Sequence, residues 1–161
     1  MKKVLSLALA AIMMLSLVAC GGKEEPKTVT QQLVAEFTTL VKENADSTAL
    51  DIAGKLAESN CVSAIGPMSM EIEEGFLMGF DNDEITGFKS GAVFAPMIGT
   101  IPFIGYVFEL EEGADVDAFV KMLEDGANLR WNICSAADEM ACEAVGNKVV
   151  FVMAPLTFEE E

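Results

Sequence analysis

The chain has 161 residues, 26 of them Asp or Glu and 10 Lys or Arg, for a formal net charge of −16. So acidic a surface disfavours nucleic acid, whose phosphates are met by Lys and Arg, and disfavours direct docking on anionic lipid headgroups. The sequence has no histidine, which excludes Ser-His-Asp and Cys-His catalysis, imidazole metal ligands and imidazole pH switching.

Met1-Lys2-Lys3 leads into an uncharged run from Val4 to Ala19. A basic start followed by an apolar stretch shorter than the ~20 residues of a membrane-crossing helix is the layout of a secretory signal. The run ends in Leu17-Val18-Ala19-Cys20, which resembles the lipobox of bacterial lipoproteins. The resemblance implies that the Cys20 thiol receives a diacylglyceryl group and that residues 1–19 are removed as a signal peptide. It also implies acylation, by palmitate or a similar chain, of the new amino group, and a place on the extracytoplasmic face of the cell membrane. Each buried methylene contributes about 0.8 kcal/mol, so two or three acyl chains hold firmly where one holds weakly. Gly21-Gly22-Lys23-Glu24-Glu25-Pro26-Lys27 has no apolar residue to pack, and residues 20–28 read as a lipidated flexible tether.

Thr28 offers a cap with Gln31 three positions on, and Leu33, Val34, Phe37, Leu40 and Val41 then share one helical face. A second helix is predicted after Ser47 or Thr48, with Ala49, Ile52, Ala53, Leu56 and Ala57 on its stripe, ending near Ser59-Asn60. The period then changes. Met68, Met70 and Ile72 alternate with Ser69, Glu71 and Glu73, a half-exposed strand. Phe76, Met78 and Phe80 lead into Asp81-Asn82-Asp83-Glu84, which has turn chemistry, and a further strand is predicted over 85–94. Residues 101–111 read as another strand, broken by Gly113. Asp115 then caps a third helix with Val116, Phe119, Val120, Leu123 and Ala127 on one stripe. Cys142–Val145 and Lys148–Met153 form a hairpin about Gly146-Asn147.

The order of elements predicts one α+β domain over residues 29–156, an antiparallel sheet with helices packed mainly on one face, followed by an acidic tail at 157–161. The lipobox, the tether, the strand-helix unit Tyr106–Asn128 and the closing hairpin together resemble small lipoproteins of clostridia-type bacteria that carry a domain of uncharacterised function. That resemblance implies a cell-surface location.

Beyond Cys20, the three cysteines Cys61, Cys134 and Cys142 allow at most one internal bridge, and Cys134 with Cys142 is the pair spaced to close across a turn or short helix. Residues 92–108 are seventeen without a charge. Pro96, Gly99, Pro102 and Gly105 suit buried strands better than a span, and a partly exposed apolar surface for a partner is the second reading. Asp81-Asn82-Asp83-Glu84 lacks the fifth-position ligand and the glycine of a calcium loop. Glu71, Glu73, Glu74 and Glu109, Glu111, Glu112 can face one another around a hard cation or serve as charged strand edges. The methionines past the signal read as adaptable core filler rather than as a copper-binding run. No phosphate loop of Walker or Rossmann spacing is present. The sequence thus points to a non-catalytic, lipid-anchored domain with no cofactor and no resident metal, binding a protein or small ligand of the envelope and no nucleic acid. The alternative is a solute- or metal-capture lipoprotein using a carboxylate cluster.

Overall fold

The computed structural model describes residues 27–158 apart from 82, 99 and 133. The signal sequence, Cys20 with most of the tether, and residues 159–161 lie outside the described residues.

The first helix, α1, spans Val29–Glu43 and starts where the sequence places it: the Thr28 hydroxyl and the Gln31 side chain exchange capping bonds. Helix α2, Ala49–Ala57, repeats the device with Thr48 and Asp51. The hydrogen bonds from Thr48 hold the Asp51 carboxyl below its usual range. A short 3₁₀ turn at Ser63–Ile65 delivers the chain to strand β1, Pro67–Ile72. Strands β2 (Gly75–Phe76) and β3 (Glu84–Ile85) form a small ladder of their own. Then come β4 (Ser90–Pro96), β5 (Ile104–Glu109), helix α3 (Val116–Gly126), β6 (Glu139–Val145) and β7 (Lys148–Ala154).

The main sheet has five strands in the order β1-β4-β5-β7-β6, every neighbouring pair antiparallel. This is the α+β domain expected. Helices α1 and α2 cover one face, packing Leu33, Phe37, Ile52 and Leu56 onto Phe94, Val107, Val150 and Val152. Helix α3 crosses the other face, where Phe119 and Leu123 meet Tyr106, Phe108, Val149 and Phe151. Strands β5 and β7 are therefore covered on both sides. Covering on both faces explains why every residue of β7 is buried and why its sequence runs apolar instead of alternating.

The α3 unit follows its spacing closely. The Asp115 carboxylate accepts from the Ala118 amide at 3.0 Å, and the short connection turns the helix back onto the sheet, where it lies over β6 and β7. Phe119 meets Phe108 edge to face at 5.2 Å, Leu123 is fully buried, and Val120 is half-buried. At the hairpin, Val145 pairs with Lys148, leaving Gly146-Asn147 as a two-residue turn. Gly146 alone has positive φ there, the pattern of a type II′ turn.

Three details differ from the sequence reading. The alternation Phe76-Met78-Phe80 is not one strand: β2 stops at Phe76, and residues 77–83 loop across to β3, so Asp81 and Asp83 are not the tip of a tight hairpin. Gly79, at φ +94°, turns Phe80 inward, and a Cβ at this position would meet the Met153 methyl at 2.4 Å. The uncharged run 92–108 is β4, a loop and β5, the buried strands its prolines and glycines suit, and no helix among the described residues is long and apolar enough to cross a membrane. Finally, packing continues past residue 156, because Phe158 rests edge to face on Phe103 at 5.9 Å.

Candidate functional site

Along one row of the sheet, Met70 of β1 lies opposite Val93 of β4, Val93 opposite Tyr106 of β5, and Tyr106 opposite Phe151 of β7. Residues opposite one another present side chains to the same face. Helix α3 packs over β7 and β6 and covers the Phe151 end of the row. Toward β1 the row emerges from under the helix. The loop after β2 forms the wall of the opening, held there by the Tyr106 hydroxyl, which donates to the Met78 carbonyl at 2.8 Å. Burial pushes the Tyr106 phenol well above its ordinary range.

The result is a groove of about 360 Å³ whose lining has no charged side chain. Met68 is 55% exposed, Met70 58%, Phe76 70%, Met78 65% and Met97 74%, and all five line it. These are five of the seven large apolar side chains that are exposed among the described residues. Isolated apolar residues are common on any protein surface, whereas their collection into one concavity is not. The expectation that these methionines are core filler is therefore corrected at four positions. Strand alternation puts Met68 and Met70 on one face and Ser69 on the other. The face that α2 covers is that of Ser69, whose hydroxyl lies beside Gly54.

The carboxylates do not assemble. Glu109 faces Lys89 at 3.2 Å and Lys148 at 3.7 Å, and Lys148 also donates to the Ala45 carbonyl at 3.0 Å. Glu74 accepts from the Gly87 amide at 2.6 Å, closing the loop after β3. Asp81 accepts from the Asn128 side chain at 2.6 Å. Among the described residues no three acidic or cysteine side chains converge as a metal site, and no buried side-chain nitrogen or oxygen lacks a partner.

Cys61, Cys134 and Cys142 are free thiols, so the Cys134–Cys142 bridge is not formed. Cys142 sits on β6 against the α3 core, and burial, reinforced by the nearby Glu124 and Glu143, pushes its thiol up to about 12. Cys134 is exposed on the preceding segment, which Ser135 fastens to the β4–β5 loop by donating to the Thr100 carbonyl at 2.9 Å. The Cys61 thiol is raised by partial burial and sits 3.2 Å from the Ser59 hydroxyl.

The groove was only partly legible in the sequence. A partly exposed apolar surface is the second reading of residues 92–108, but β1 and the loop after β2 supply most of the groove's exposed side chains. The available signal was Met68-Ser69-Met70, two methionines at strand spacing on one face. No protein-family model, curated protein or solved structure matches the chain.

Proposed function

We propose that this chain is a lipid-anchored, extracytoplasmic surface domain that acts by binding, without catalysis, and that the methionine-lined groove is its contact face for a protein or ligand of the envelope. The anchor rests on Leu17-Val18-Ala19-Cys20 following a basic start and an apolar run. The binding role rests on one observation, the gathering of Met68, Met70, Phe76, Met78 and Met97 around an uncharged concavity in an otherwise acidic protein. Burying one such side chain contributes about 1.5–3 kcal/mol, so a few suffice for a stable contact. Methionine is unbranched and polarizable, and adapts its shape to what it meets.

Site-specific photo-crosslinking tests the contact face. A crosslinker placed at Phe76 in cells should give a discrete adduct that is lost in a Met70→Asp background with an unchanged melting temperature. An adduct pattern indifferent to Met70→Asp would sink the assignment of this face. For the anchor, Cys20→Ser should abolish palmitate labelling and membrane retention, and equal labelling of wild type and variant would refute the lipid. The alternative, solute or metal capture through carboxylates, draws no support from Glu109 and Glu74, whose partners are already within the fold.

A further inference from the structure

An apolar docking face needs carbon, and Leu, Ile or Phe would serve. Four of the five exposed side chains lining this groove carry sulfur instead: Met68, Met70, Met78 and Met97. Met68 and Met70 stand two apart on β1 and so share one face of the sheet. Met78 is fixed over that same face by the bond between its carbonyl and Tyr106. Met97 follows Pro96, which lies opposite Pro67 at the start of β1, and so closes the Met68 end of the groove. Each is a long, unbranched side chain that can swing its thioether inward without moving the backbone.

Thioether sulfur is a soft ligand that selects Cu(I) over hard cations. We infer that the groove binds a soft monovalent metal ion, Cu(I) or its analogue Ag(I), through the sulfurs of Met68, Met70 and Met78, with Met97 at the rim. This inference rests on the groove being the ligand-binding face and names the ligand. Thioethers are neutral and carry no proton, so binding adds one positive charge to a chain of net charge −16 and releases no proton. Phe76 and Tyr106 belong to the same lining, and an aromatic ring attracts a cation placed over its face. None of the free thiols lines the groove.

The test uses the full chain purified in detergent, with ascorbate present and a chromophoric chelator competing for Cu(I); Ag(I) with native mass spectrometry gives a second probe. One equivalent should bind, with an affinity unchanged between pH 7 and pH 5. Replacing Met68, Met70 and Met78 by Leu should weaken binding at least tenfold, while Cys134→Ser leaves it intact. Absence of binding would overturn the inference. So would binding that survives the Leu replacements, or affinity that falls with acidification as it does for a thiolate or carboxylate site. Copper X-ray absorption of the single Met70→Leu variant, which keeps volume and apolarity, should show one fewer sulfur neighbour and provides the answer if the triple variant does not fold. Because Leu preserves an apolar face, a Leu variant that keeps its crosslinked adduct but loses metal separates this inference from the docking reading. Loss of the adduct in Met70→Asp with normal metal binding in the wild type supports both.

Discussion

Tyr106 and Met78, 28 residues apart in sequence, are joined by a hydroxyl-to-carbonyl hydrogen bond of 2.8 Å that sets the height of the groove wall. Tyr106→Phe removes the donor and leaves a carbonyl to find water. The expected cost is about 1 kcal/mol of stability. Proteolysis or amide exchange should report faster opening of the 77–83 loop, with the sheet unaffected. A loop as protected as in the wild type would show that the bond does not set its position.

Tyr106 is the only tyrosine of the chain and its phenol is raised above its ordinary value near 10 by burial. The folded state therefore keeps the proton that the unfolded state releases. Stability contributed by the neutral phenol is complete below pH 10 and declines as pH rises above it. An absorbance titration of phenolate should show no ionisation until the circular dichroism of the fold is lost. A transition near pH 10 with the fold intact would contradict the burial.

Phe119 lies edge to face on Phe108 at 5.2 Å and near Phe88 at 6.4 Å. Truncating it to Ala should cost about 3–5 kcal/mol, against a total stability of about 5–15 kcal/mol for a domain. Lys121, one face over, makes an exposed pair with Asp125 at 2.8 Å, and Lys121→Ala should leave the denaturation midpoint nearly unchanged. Equal midpoints for the two variants would contradict the packing of α3.

Gly105 lies opposite Phe94 across β4 and β5, and the Phe94 ring fills the space that a side chain would take, with its tip 2.2 Å from where a Cβ would sit. Gly105→Ala must displace the ring from the α1–α2 core and should cost about 1–3 kcal/mol, read from a urea melt. At Gly146 the space is open but φ is +63°, so the cost of Gly146→Asn is backbone strain in the turn rather than a clash.

The thiols should separate kinetically. At pH 8 an alkylating reagent should modify Cys134, which is exposed, well before Cys61, and Cys142 last, because burial holds the Cys142 thiol near 12 and so almost wholly protonated. Peptide mapping of partially alkylated protein gives the order directly. Rapid labelling of Cys142 would mean that β6 is not docked on α3.

Local signals carried the helices. Thr28 with Gln31, Ser47 or Thr48, and Asp115 each mark a helix start in the sequence, and the stripes that follow are the buried faces. The hairpin at Gly146-Asn147 was equally plain. The failures are of another kind. Period-two alternation at Met68, Met70 and Ile72 says that two faces differ, but not which face the helices cover. That choice depends on α2 lying over Ser69 and α3 stopping short of β1. The inward turn of Phe80 has a similar origin, since the reversal at Gly79 is a backbone event that hydropathy does not register. The groove is produced by coverage, a tertiary property, and only its composition was written locally.

The Val29 amide donates to the Leu156 carbonyl at 3.0 Å, so the chain enters and leaves the fold side by side. With Ile104 opposite Met153 and Pro67 opposite Pro96, the loop bearing Met97 and Ile98 shares that pole, while the Gly146-Asn147 turn occupies the other. Were the chain tied to a bilayer at Cys20, the stretch to Thr28 would reach no more than ~28 Å when fully extended. The domain would then hang with its greasy pole toward the headgroups and its hairpin toward the medium. An epitope grafted into the hairpin should be open to antibody on intact cells, whereas the same epitope added after Phe158 should be screened by the membrane beside it.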